Sequence, residues 1–225
     1  MTKVVLIHTV EGNVKVFGDL VQEIAPGLPA EHVVDESLLG DTIAAGTLTD
    51  EVRQHFRERV EAARRDGADV IMLTCSSVGP SADGLSDELG VTVLRVDEAM
   101  AEHAVAMGPR VGVAATLPTT LGPTADLIYR AASRLDRAVE VTTSLAEGAF
   151  QALRSGDGAR HDALVVAALQ ELAASVDVIL LAQASMARAV GGAESIESDG
   201  RTVPILTSPR LGVERLRDVV ASAAK

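Results

Sequence analysis

The chain has few aromatic residues: Phe, Tyr and Trp together make up 2% of its 225 residues, and Trp is absent. A core must therefore be assembled from Ala, Val, Leu and Ile, a composition that suits parallel strands covered by Ala-rich helices. There is one cysteine, Cys75, which excludes an internal disulfide and a multi-cysteine zinc site. The five histidines (His8, His32, His55, His103 and His161) fall in no metal-ligand spacing, and no HExxH occurs, so no metal is expected. Neither GxGxxG after a strand nor GxxxxGK[ST] is present, which removes support for a dinucleotide or a P-loop nucleotide, and no cofactor is expected. Positive charge is in deficit, with a net charge of −12. That balance argues against nucleic acid as a partner, because phosphate contacts need clustered Lys and Arg. No apolar run reaches the roughly 20 residues that span a bilayer. The opening residues enter a Val/Leu/Ile strand without a signal-peptide pattern, so the cytoplasm is the expected location.

What is present is alternation. Short apolar runs at Val4–Ile7, Val33–Val34, Val70–Leu73, Val91–Val96, Val111–Ala115, Val139–Thr142, Val178–Leu181 and Val203–Leu206 alternate with longer helical patterns. This is the signature of βαβ units and a mostly parallel sheet. Helices are predicted over Asp50–Arg65, opened by the Thr49/Asp50 cap signal, over Ala159–Ser175, and over Val213–Ala224 at the chain end.

The eight strands fall into two sets of four in the same order. Ala68-Asp69-Val70-Ile71-Met72-Leu73-Thr74-Cys75-Ser76-Ser77 aligns with Val176-Asp177-Val178-Ile179-Leu180-Leu181-Ala182-Gln183-Ala184-Ser185. Thr9 aligns with Thr116 and Gly90 with Gly200, all at offsets of 107 to 110 positions. A repeated half is the economical explanation. The fold class expected is α/β, with two similar Rossmann-like half-domains carrying parallel sheets and related by a pseudo-twofold axis. Residues 1–97, with the C-terminal helix 208–225 packing back, form the first half, and residues 98–207 the second. Ligands of open α/β sheets bind beyond the carboxyl ends of the strands. One site is therefore expected in the cleft between the halves, lined by His8–Glu11, Cys75–Gly79, Thr116–Thr120 and Gln183–Met186.

Each candidate has two readings. Cys75 ends an apolar strand and enters Ser76-Ser77-Val78-Gly79-Pro80, a turn leading toward a helix; its N–H groups and dipole would favour thiolate, whereas most free cysteines are buried and inert. Thr116 and Thr119 could hold a carboxylate with nearby N–H groups or cap a helix. Ser76 and Ser77 carry the same ambiguity. His8 could wall a site or act as an auxiliary base, although a strand-end histidine is more often structural. Asp69 and Asp177 precede their strands, at the wrong end for chemistry, and Asp35-Glu36 reads as a loop acidic pair. Tyr129 and Phe150 read as residues packing a helix face.

In joint order, the strand ending in Thr74-Cys75-Ser76-Ser77, the Thr116-x-x-Thr119 segment and the late Leu181-Ala182-Gln183-Ala184-Ser185-Met186-Ala187 stretch resemble the aspartate/glutamate/hydantoin racemase superfamily. The resemblance implies two α/β halves facing each other across the substrate, with a cysteine from each half flanking the reacting carbon. Cys75 matches the first cysteine. Ser76 and Ser77 match groups holding the substrate carboxylate, and Thr116 and Thr119 match the family's Thr-x-x-Thr on the opposite half; His8, Thr9, Thr120 and Ser185 are expected as further lining from their places after the strands. The second cysteine's place is taken by Gln183, an amide that can make hydrogen bonds but cannot exchange a proton near neutral pH.

The expected function is a cofactor-independent racemase or isomerase acting at the carbon next to the carboxylate or carbonyl of a small acid. Cys75 would be base or nucleophile and Gln183 would orient the substrate. With one thiol, three routes stay open. Another group (His8, Glu11 or Ser185) serves the second face, the chemistry is one-sided as in arylmalonate decarboxylase, or Cys75 adds to an activated double bond as in maleate isomerase-like relatives. The rival from another class is a non-catalytic protein that binds a small acid. Oligomeric state is open, a homo-oligomer being the default and a dimer its commonest form.

Overall fold

The computed structural model describes residues 2–223. The chain divides into two compact units, the first formed by Met1–Asp97 with Pro209–Lys225 and the second by Glu98–Ser208.

The first unit contains β1 (Val4–His8), α1 (Gly12–Ile24), β2 (Ala30–Val34), α2 (Glu36–Ala45), α3 (Asp50–Arg65), β3 (Val70–Leu73), a 3₁₀ turn (Gly79–Ala82), α4 (Leu85–Leu89) and β4 (Thr92–Arg95). Its strands form one parallel sheet in the order β2-β1-β3-β4. β1 and β3 are buried along their whole length, and strand periodicity sends alternate residues to opposite faces. Val5, Ile7, Ile71 and Leu73 meet Phe56, Val52 and Val60 on one side. Val4, Leu6, Val70 and Met72 meet Phe17, Val21, Val213 and Leu216 on the other. Two covered faces explain why these strands read as continuous apolar runs. α3 has the predicted bounds. Thr49 caps it by accepting from the Val52 N–H at 3.4 Å, acidic residues open it, and Arg64 and Arg65 close it against the dipole.

The second unit contains α5 (Glu98–Met107), β5 (Arg110–Ala115), α6 (Pro118–Arg134), β6 (Glu140–Leu145), α7 (Ala149–Arg154), α8 (Gly158–Ala173), β7 (Val178–Leu181), a 3₁₀ segment (Ala184–Val190), β8 (Ser195–Ser198) and β9 (Arg201–Thr207). Its sheet runs β6-β5-β7-β9-β8. β5, β6, β7 and β9 are parallel, and β8 pairs antiparallel with β9. The order β6-β5-β7-β9 repeats β2-β1-β3-β4, which is the repeat legible in the sequence. β8 is an addition that the sequence reading does not contain. Its hairpin turns at Asp199-Gly200, both at positive φ, the conformation that two-residue hairpin loops need. The final helix, α9 (Ser208–Ala223), starts five residues earlier than expected; the last residue of the expected helix, Ala224, lies outside the described residues.

Asp69 and Asp177 do the same structural work in each unit. Asp69 accepts from the Lys3 backbone N–H at 2.8 Å and Asp177 from the Arg110 backbone N–H at 3.0 Å, so each anchors the start of its unit's first strand. Asp35 is buried, caps α2 through the Ser37 N–H, and is bound by Arg59 at 2.6 Å and His55 at 3.0 Å. Tyr129 departs from its expected packing role, since it is 49% exposed on α6. No helix among the described residues is long and apolar enough to cross a membrane.

Candidate active site

The residues that the sequence singles out gather at the carboxyl ends of the central strands, as two clusters, one in each unit. In the first unit the backbone leaves β3 through Thr74 and Cys75 and turns back through Ser76, Ser77 and Val78. The Gly79 N–H closes the turn on the Ser76 carbonyl at 3.2 Å. Cys75 is half-buried, packed against the α3-side core, while Ser76, Ser77 and Val78 are buried. The Cys75 sulfur is hydrogen-bonded with Thr9, at the end of β1, and with the backbone N–H groups of Val78 and Ser77.

The turn leads into a 3₁₀ segment of four residues, not the α-helix the sequence suggests. Little helix dipole therefore acts on the thiol. Burial is the strongest influence and pushes the Cys75 thiol up, with the nearby Asp97 charge adding to it; the three hydrogen bonds pull the other way without prevailing. The expectation that the setting favours thiolate is thus corrected. The thiol is held protonated around neutral pH by desolvation, although donors for its ionised form are in place.

In the second unit, Thr116 follows β5 and Gln183 follows β7, the positions that Thr9 and Cys75 occupy in the first. The Thr116 backbone N–H donates to Gln183 Oε1 at 2.6 Å, and its hydroxyl does so at 3.0 Å. A backbone N–H can only donate, so the amide orientation is fixed by chemistry, with Oε1 on Thr116 and the NH₂ directed away from it. Thr116 spends its hydrogen bonds on Gln183, and α6 has no side-chain cap at its N-terminus, where Pro118 stands in the first turn. The Thr119 hydroxyl is shielded without a hydrogen-bond partner. Thr120 is buried, and Ser185 is half-buried in the segment after Gln183.

His8 is set apart from the Cys75 cluster, and the structure corrects its expected role. It is fully buried; Nδ1 meets Thr74 Oγ1 at 2.8 Å, and Nε2 meets Nδ1 of His32 at 2.8 Å, with the two rings stacked. Thr74 gives its hydroxyl proton to the Ile7 carbonyl, so it accepts from His8 Nδ1–H, and His8 Nε2 accepts from His32. Burial, helped by His32, lowers the His8 pKa to about 4. A neutral ring with both nitrogens committed is neither a free wall nor a base. Among the described residues no group of three or more His, Cys, Asp or Glu could hold a metal ion.

A buried ion pair beside the Cys75 turn was absent from the sequence reading. Arg95 is 5% and Asp97 1% exposed. Nε and Nη2 of Arg95 each donate to Asp97 at 3.0 Å, and Nη1 reaches Asp83 at 3.3 Å. The sequence offered little signal, since Arg95 closes β4 and Asp97 lies in the turn after it.

Residues 5–216 match the Asp/Glu/hydantoin racemase family. Among solved structures, a glutamate racemase isoform from Bacillus anthracis is 15% identical, with 99% of this chain and 82% of that one covered and a TM-score of 0.73. Allantoin racemase from Klebsiella pneumoniae is 16% identical over 99% of this chain and 89% of its own, TM-score 0.67. An aspartate racemase homologue from Pyrococcus horikoshii OT3 is 16% identical over 98% and 100%, TM-score 0.66. Among curated proteins no sequence matches significantly. With a match spanning nearly its whole length, the chain belongs to the Asp/Glu/hydantoin racemase family and is an isomerase by that membership.

Proposed function

We propose that the protein is a cofactor-independent racemase acting on the α-carbon of a small carboxylate-bearing substrate of the amino acid, hydantoin or dicarboxylate class, with Cys75 as its base. The observation that carries this reading is the setting of Cys75. It stands beyond the carboxyl end of a central strand, with Thr9 and two turn N–H groups hydrogen-bonded to its sulfur. As thiolate it removes the α-proton. Ser76, Ser77, Thr116 and Thr119 hold the carboxylate, and the charge that develops on the enolate is met by such fixed donors, the largest single contribution in catalysis of this kind. Gln183, with its oxygen tied to Thr116, offers its NH₂ to a substrate oxygen.

Gln183 takes no part in proton transfer, so another group, Glu11 or Ser185, serves the second face. The two enantiomers should then differ in how fast they exchange their α-hydrogen. The test is turnover in deuterated water of aspartate, glutamate, hydantoins, small dicarboxylates and arylmalonates, with wild type and Cys75→Ala. The expected result is α-deuteration with loss of configuration, abolished in Cys75→Ala while the fold is kept. Release of carbon dioxide with one-sided deuteration would replace racemisation by decarboxylation, and an active alanine variant would remove Cys75 from the mechanism.

A further inference from the structure

Several charged groups face the Cys75 turn. Arg53 of α3 donates from Nη1 to the Pro80 carbonyl at 2.9 Å. Arg95 comes from β4, and Asp83 and Asp97 come from the segments after the 3₁₀ turn and β4. Arg95 is the most constrained. Its fork is occupied by two carboxylates, so it has no open edge for a substrate anion. Its guanidinium also lies against Gly79, where a Cβ would stand 2.6 Å from Nη2. The turn can pack onto the guanidinium only because residue 79 has no side chain.

We propose that Arg95 is a positioning residue for Cys75, which, gripped by Asp97 and Asp83 and seated against Gly79, fixes the turn whose N–H groups bind the sulfur and offsets the buried Asp97 charge beside it. Two consequences follow with opposite sign. Without the Arg95 charge, Asp97 is left uncompensated near the sulfur and the turn loses its seat, so thiolate becomes harder to form. Without the Asp97 charge, Arg95 stays paired with Asp83 alone and one negative charge beside the sulfur is gone, so thiolate becomes easier to form.

The inference rests on Cys75 being the reactive group, yet its test reads the thiol and not turnover, so it can fail while the racemase reading stands, and the reverse. Cys75 is the only cysteine, which makes iodoacetamide consumption by the full-length protein a direct measure of its thiolate fraction against pH. Arg95→Met should move the midpoint up and slow alkylation at pH 8 by about tenfold, one unit of pKa being one decade of thiolate. Asp97→Asn should move the midpoint down and speed alkylation by roughly threefold. Both substitutions break the same buried pair, so loss of structural support alone would move both rates in one direction. Shifts of the same sign, or none, overturn the proposal. Should Arg95→Met fail to fold, Arg95→Lys keeps the charge without the fork and should still slow alkylation by about threefold; a wild-type rate in that variant overturns the proposal equally.

Discussion

At the scale of the residue, the decisive contest is over the charge on one sulfur. Desolvation raises the Cys75 pKa, and three hydrogen bonds do not fully offset it. The sign for activity follows directly, because an acid whose neutral form is favoured ionises only at more alkaline pH, and each unit below its midpoint costs a factor of ten in thiolate. The rate of α-proton exchange and the rate of alkylation should therefore rise together with pH, toward a midpoint above the ordinary thiol value of about 8.5. Both can be measured on one preparation, and a shared midpoint below that value would contradict the desolvation argument. Gln183 supports a second prediction. Gln183→Cys places a thiol at the position in the second unit that corresponds to Cys75 in the first, and should speed exchange of the slower enantiomer at least about tenfold, on the scale typical of a positioned acid or base. It also leaves the Thr116 donors without their amide oxygen, at a cost of about 1 kcal/mol; chiral chromatography and thermal unfolding separate the two effects. Cys75 and Gln183 could be found in the sequence because they end the two most apolar strands. Arg95 and Asp97 could not, because a charged pair at a strand end reads as solvated until its burial is known.

At the scale of the element, the strands that were legible are those buried on both faces. Val70–Leu73 and Val178–Leu181 have the same bounds in sequence and structure because a bounded run of four apolar residues is too short for a buried helix and fits a strand covered on both faces. β8 was not legible, since Ser195-Ile196-Glu197-Ser198 is a sheet edge with only partly buried positions. The His8 contact could not be read either, because it depends on β1 lying between β2 and β3. That arrangement joins the three strands through the His32–His8–Thr74 chain and makes it sensitive to acid. Folded His8 has a pKa of about 4 against 6.5 for the unfolded chain, so as pH falls the unfolded state takes up a proton first. The contribution is complete above pH 6.5, is lost between 6.5 and about 4, and does not change below that. A shift of this size corresponds to roughly 3 kcal/mol. Urea midpoints between pH 7 and 4 should record the loss, and His8→Asn should flatten that part of the curve. An unchanged slope in the variant would assign the acid sensitivity to other groups.

At the scale of the whole molecule, the repeat predicts two units of similar topology but not two units of equal independence. The second unit is one continuous stretch, Glu98–Ser208, with its own core around Leu169, Leu172, Ile179 and Met186. The first is interrupted, because α9 returns from the far end of the chain to cover Leu6, Phe17 and Met72 with Val213 and Leu216, both fully buried. Its seat is tight, since a Cβ on Gly212 would lie 2.8 Å from the Val96 carbonyl oxygen. Burial of each aliphatic side chain contributes about 1.5–3 kcal/mol, and native domains have only about 5–15 kcal/mol in hand. A fragment of residues 1–97 should therefore leave one sheet face covered by α1 alone, and be insoluble or lack cooperative unfolding. A fragment of residues 98–208 should fold alone. Adding residues 209–225 as a separate peptide, or joining them ahead of residue 1 by a flexible linker, should restore cooperative unfolding to the first fragment. The same peptide carrying Leu216→Ala should restore it less, by the roughly 2–5 kcal/mol typical of such a cavity. Circular dichroism melts of these preparations decide the matter, and cooperative melting of residues 1–97 alone would show that α9 is dispensable to the core it covers.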